Sequence, residues 1–191
     1  MASEPPVVVG VSGASGAPIA VRVLEALGDA KVPVALVVSD GARAVLKEEA
    51  GLDASDLERF SARTYSDHDL GAAIASGSYR TRAMAIVPCS ANSAAKVALG
   101  LGDTLLTRAA QVHLKERRPL VVVPRETPLS SVLLRHLATL SDLGTVVLVA
   151  SPAYYLHPRS IDDVTNYLAG KVLDHLGVPH TLYRGWKSEA P

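Results

Sequence analysis

The sequence predicts a doubly wound α/β fold, a mostly parallel sheet with helices on both faces, and three observations carry that prediction. Short apolar, β-branched runs recur at Val7, Val34, Ala83, Leu120 and Thr145, as in strands buried on both faces. Stretches of helical character separate them along the whole chain. The turns after the first and third convincing strands are rich in Gly, Ser and Asn, at the sheet edge where an open α/β sheet presents its ligand crevice. Five or six strands are expected in one unit spanning residues 1–191. It carries a short N-terminal extension (about residues 1–6) and a C-terminal tail (about 178–191).

Composition bounds the function classes. Hydrophobic residues make up 48% of the 191 and charged residues 20%, enough for an ordered core. Nineteen basic residues balance nineteen acidic ones, which argues against a nucleic-acid or membrane-surface binder and permits self-association. A single cysteine, Cys89, excludes an intrachain disulfide framework and a cysteine-based zinc site. With no apolar run of spanning length and no basic-then-apolar leader pattern, the chain reads as cytoplasmic.

In chain order, Val7 to Val9 is a strand and Gly10-Val11-Ser12-Gly13-Ala14-Ser15-Gly16 the turn after it. Pro18 then fits the first turn of a helix through residues 20–27. Small residues let a ligand approach the backbone, the helix start offers unpaired N–H groups to an anion, and Ser12 and Ser15 add hydroxyls. Val34–Val38 is the second strand, ending at Ser39-Asp40, followed by a helix over residues 41–49 whose Glu49 reads as solvated. Residues 52–66 read as a helix and a short strand near Thr64-Tyr65. Asp67-His68-Asp69 looks like a metal triplet, but adjacent side chains do not face one point, and a loop is the better reading. Residues 72–78 are small enough for close packing or a subunit contact.

The strand at residues 83–87 leads into Pro88-Cys89-Ser90-Ala91-Asn92-Ser93, a second loop of donors before a helix, and Cys89 reads as a buried thiol. After the break at Gly100-Leu101-Gly102-Asp103, a helix over residues 104–116 carries Arg108 and Lys115 and stops at Pro119. The strand at residues 120–123 delivers Pro124-Arg125-Glu126 to the rim, a fixed cation beside a carboxylate. A helix over residues 130–140, a strand over 145–149 and a stiff loop, Ser151-Pro152-Ala153-Tyr154-Tyr155-Leu156-His157-Pro158, follow. Ser160 caps the last helix, which carries Lys171 and ends at Gly177. Trp186, in the polar tail, suggests a lid or a neighbouring subunit.

Six motifs together resemble the UbiX-type flavin prenyltransferases: Gly13-Ala14-Ser15-Gly16, Pro88-Cys89-Ser90, Thr107-Arg108-Ala109-Ala110, the Lys-Glu-Arg-Arg-Pro run from Lys115, Pro124-Arg125-Glu126-Thr127-Pro128, and Pro152-Ala153-Tyr154-Tyr155. The resemblance runs from Val7 to about Trp186. It implies a flavodoxin-like, Rossmann-like fold, a homododecamer with FMN at subunit contacts, and no metal. It implies joining a dimethylallyl group to N5 and C6 of reduced FMN, from dimethylallyl monophosphate or, in some members, the pyrophosphate. The prenylated FMN would serve a UbiD-type decarboxylase. Carried over residue by residue, Gly13, Ala14, Ser15, Ser39, Ser90, Ala91, Asn92, Ser93 and Arg125 would hold FMN. Lys115, Tyr155, Lys171 and Arg108 would grip the prenyl phosphate, and Glu49, Glu126 and Ser15 would take the catalytic roles. The resemblance therefore turns Glu49 from the solvent into the site.

Three residues depart from that pattern. Lys171 stands where several members have Arg, keeping charge but losing a bidentate contact. Leu70 stands where some have a tryptophan against the prenyl group. The Ser90-Ala91-Asn92-Ser93 loop is similar to that of flavin-dependent cysteine decarboxylases, which supplies the alternative function. Those enzymes carry a catalytic His in an early helix, and residues 40–60 contain none. A non-catalytic FMN carrier would have no need of Glu49, Lys115 and Lys171 together. A nicotinamide dehydrogenase fits least, lacking a Tyr-x-x-x-Lys.

Overall fold

Val7–Val11 (β1), Val34–Val38 (β2), Arg63–Ser66 (β3), Ala83–Cys89 (β4), Leu120–Pro124 (β5) and Val146–Val147 (β6) form one sheet in the order β3-β2-β1-β4-β5-β6. Every neighbouring pair is parallel. The computed structural model describes residues 4–186, so the outermost parts of the expected extension and tail, residues 1–3 and 187–191, lie outside the described residues. The chain builds outward from β1 through β2 to β3, then crosses back to β4 and builds the other way. The reversal falls between β1 and β4, the point at which an open α/β sheet presents its ligand crevice.

Alternation along the strands feeds two apolar layers. Val7, Val9 and Val11 join α1 (Ala17–Asp29), α2 (Asp40–Ala50) and α6 (Ile161–Leu176) in one layer. Val8, Val37, Met84, Ile86, Leu120 and Val122 join α3 (Ala91–Ala98), α4 (Leu105–Lys115) and α5 (Ser131–Asp142) in the other. The central strands are buried along their whole length, which explains why they read as continuous apolar runs.

Two elements differ from the sequence reading. Residues 54–60 wind as a 3₁₀ turn, not an α-helix. The expected five-residue strand at 145–149 shrinks to Val146–Val147, although Leu148 N–H and Ala150 N–H still donate to the Val122 and Pro124 carbonyls at 2.9 and 3.0 Å. This is the sheet's edge, partnered on one side only, and Val149 is 41% exposed.

His113, in the last turn of α4, is fully buried. Its Nδ1 lies 2.8 Å from the Ala109 carbonyl and its Nε2 2.9 Å from Thr81 Oγ1, which also accepts from Arg118 Nη1 at 3.1 Å. That network assigns the proton to Nδ1 and lets the Thr81 hydroxyl donate to Nε2. Burial, helped by the Arg118 charge, lowers the His113 pKa below its usual 6.5, against the raising effect of the Ala109 and Ala83 backbone. The unfolded chain thus binds the proton more readily, and stability present above pH 6.5 is lost as pH falls below it. Urea denaturation at pH 7.5 and 5.5 should show a drop in unfolding free energy that is smaller in His113→Gln. Equal drops would show that His113 does not set the slope.

Candidate active site

Ser12 joins the two loops at the crevice. It is 1% exposed; its hydroxyl donates to the Pro88 carbonyl at 3.0 Å and accepts from Ser90 N–H at 2.7 Å. This corrects the expectation of a ligand-facing hydroxyl: Ser12 ties the loop after β1 to the loop after β4. Next to it, Gly13 lies so close to α2 that a Cβ there would sit 2.9 Å from the Gly41 carbonyl carbon and 3.0 Å from its Cα. Only glycine lets these two backbones meet at the crevice floor. Ala14 is buried and its N–H already donates to Ser12, so it contributes shape rather than a donor.

Glu49 comes from the last turn of α2. One carboxylate oxygen accepts from the N–H groups of Gly16 and Ala17, at 2.8 and 2.9 Å, and so caps α1 from 33 residues away. Gly16 takes φ 118°, a conformation that favours glycine. The start of α1 is therefore spent on a carboxylate, which corrects its expected role as the anion cradle. Partial burial pushes the Glu49 pKa up. The Ser15 hydroxyl, the two N–H groups and the Arg125 charge outweigh it and hold the pKa below 4.5. Arg125 Nε also donates to the Ser15 carbonyl at 3.4 Å. Ser15, Glu49 and Arg125 thus meet across the ends of β1, α2 and β5.

The anion-binding capacity lies beside them. A cavity of about 300 Å³ is lined by Gly13, Ser39, Gly41, Ser90, Asn92, Ser93, Lys96 and the start of α4. Ser39 and Ser90 cap α2 and α3, accepting from the Ala42 and Ser93 N–H groups, and leave the remaining first-turn N–H groups open. Ala91 is half-buried against the α3 side of the sheet. Asp67 and His68 serve capping and pairing: Asp67 accepts from Leu106 N–H at 2.8 Å and His68 pairs with Asp40. Cys89 is buried, its pKa pushed up to about 12, so it is an inert thiol.

Arg125 and Glu126 line a second cleft of about 340 Å³ between the ends of β5 and β6, with Glu126 accepting from Thr127 N–H. Tyr155 lies on the loop after β6, in edge-on contact with Trp186 at 4.9 Å between ring centres. Lys171 lies near Tyr167, which also meets Tyr155. Lys171 pairs with Asp174 at 3.0 Å, and Asp174 also accepts from His180 and from Tyr183. Burial works against the Asp174 charge, but these three donors hold its pKa at about 2. Gly170 makes room for this tail, since a Cβ there would meet the Tyr183 and His180 rings at 2.6 and 2.8 Å.

Lys115 and Arg108 are not gathered with the others. Leu105 N–H donates to the Asp67 carbonyl just past β3, so α4 starts at the crevice edge and ends before β5 begins. Lys115 therefore sits ~15 Å down the helix from the crevice, at the opposite sheet edge. Arg108 is exposed one turn into α4, its backbone against Gly102. Sequence reasoning passed over Ser12's clamp and Lys96, although the i, i+4 spacing of Asn92 and Lys96 puts both on one helix face.

The crevice offers an anion small residues and two open helix starts, with Ser15 and Arg125 meeting beside it. A family model described as Flavoprotein matches residues 1–173. The flavin prenyltransferase UbiX of Deinococcus radiodurans is 46% identical over 188 residues, covering 98% of this chain and 96% of the relative. The enzyme of the same name from Streptomyces coelicolor is also 46% identical, covering 96% of each. Among solved structures, AnUbiX (PadA1) in complex with FMN and dimethylallyl pyrophosphate superposes with a TM-score of 0.95 at 34% identity, covering 98% of this chain and all of that one. A dodecameric FMN-dependent UbiX-like decarboxylase from Escherichia coli O157:H7 gives 0.93 at 38% identity, covering 96% and 100%. The cysteine decarboxylase TvaF, at 19% identity and 0.63, shares the fold alone. The chain belongs to the UbiX flavin prenyltransferase family.

Proposed function

We propose that this protein moves a dimethylallyl group from dimethylallyl monophosphate to reduced FMN, making prenylated FMN for a UbiD-type decarboxylase in the cytoplasm. One observation carries the reading: Ser15, Glu49 and Arg125 converge beside the two-loop crevice in a chain of this family. Reduced FMN, when bound, supplies the electron-rich N5 and C6 positions. Arg125 and Ser15 hold the ring edge, while Ser39, Ser90, Asn92 and Ser93 take the phosphate end. Cleavage of the allylic C–O bond leaves charge on the departing phosphate, and fixed cations stabilise that charge without reorganising. Tyr155, Lys171, Arg108 and Lys115 are the groups assigned to it. The ionised Glu49 accepts or holds a proton at the crevice, and Glu126 faces the same rim. Water must be kept from the allyl cation, and closure by neighbouring copies in a dodecamer would exclude it.

The reading is tested by anaerobic incubation of the protein with reduced FMN and dimethylallyl monophosphate, followed by the mass of the extracted flavin. A gain of one prenyl unit is expected. Bound FMN with no gain from either the mono- or the pyrophosphate would overturn prenyl transfer and favour a decarboxylase or carrier.

A further inference from the structure

Lys96 lies outside every role assigned above. It is the sole cation lining the crevice cavity among the described residues, its side chain 26% exposed. Asp103 holds its ammonium at 2.6 Å, which bridges α3 to the loop before α4. The other charged group on the wall, Asp67, already accepts from Leu106 N–H, so the start of α4 is spent as the start of α1 is. An anion entering the cavity therefore meets the open first turns of α2 and α3 and one positive charge. Asn92 and Lys96, one turn apart on α3, present a neutral donor and a cation to the same space.

We propose that Lys96, poised by Asp103, is the cation that reads the FMN phosphate, so that this site separates FMN from unphosphorylated riboflavin. The proposal rests on the flavin-binding reading above and goes beyond it by naming the residue that sets phosphate selectivity. Neutral serine and asparagine donors alone fix a phosphate by hydrogen bonding. A charge-assisted contact is roughly twice as strong as a neutral one and is screened by salt. In the ligand-free protein Asp103 keeps the ammonium at the cavity wall rather than in solvent, and the phosphate competes for it when it arrives.

Titration of the whole protein with FMN and with riboflavin, at low and high salt, tests this by flavin fluorescence. Lys96→Met should weaken FMN ~10-fold, or about 1.4 kcal/mol, while leaving riboflavin unchanged, and should flatten the salt dependence of FMN binding. Lys96→Arg should retain the preference for FMN. Equal changes for both flavins, or an unchanged FMN-to-riboflavin ratio in Lys96→Met, would overturn the role of Lys96 alone. Failure of the unaltered protein to bind either flavin would instead overturn the functional reading beneath it.

Discussion

Glu49→Gln should slow prenyl transfer by ~10²–10⁴-fold, the range removed with a positioned acid–base group, while FMN affinity stays within a few-fold. Glutamine is nearly isosteric and its carbonyl can still accept from Gly16 and Ala17 N–H, so the cap on α1 survives. What is lost is the charge and the capacity to hold a proton beside Ser15 and Arg125. The lowered pKa agrees with one direction for that role. Below 4.5 in the folded protein, the group is a carboxylate throughout the neutral range, and it enters the reaction as a base or a negative charge. The acid limb of the pH–rate profile should accordingly fall below pH 4.5 and vanish in the variant. Single-turnover rates with saturating FMN read this directly. A variant as fast as the parent would remove Glu49 from the chemistry. A variant that loses rate only because flavin no longer binds would reduce it to a helix cap.

Glu49 also shows where sequence reasoning stops. Its role depends on two N–H groups in another helix, 33 residues earlier, and no local pattern reports that meeting. From the residues alone it reads as one more solvated acid, and only the resemblance moved it. Ser12 erred the other way: a serine in a Gly/Ser turn looks ligand-facing until the fold brings the Pro88 carbonyl against it. By contrast, β1, β2, β4 and β5 were legible because strands buried on both faces leave little freedom in composition. The edge strand β6 was overread, since an edge needs only partial pairing and its apolar residues need not be covered. Arg125 was legible because a buried strand bounded by prolines can deliver its next residues only to the rim. Asp67 and His68 turned out to serve separate partners, one capping α4 and the other pairing with Asp40, as adjacent side chains pointing apart must.

Lys115→Ala should lower the rate ~10²–10³-fold, the loss seen when one preorganised charge-stabilising donor is removed, although no atom of Lys115 lies near its own chain's crevice. The helix axis makes the point physically: α4 leads away from the crevice, and a side chain of a few ångströms cannot return along ~15 Å of helix. If Lys115 meets the departing phosphate, it does so in a neighbouring copy, consistent with an exposed side chain that pairs with the adjacent Glu116 at 3.8 Å. Co-expression of Lys115→Ala with Glu49→Gln separates the cases. Each variant alone should be nearly inactive, but mixed assemblies contain sites built from an intact Glu49 on one copy and an intact Lys115 on the next. Recovery of a substantial fraction of activity is therefore expected. Folded, flavin-bound mixtures that recover nothing would confine Lys115 to its own chain, where the length of α4 keeps it from the chemistry.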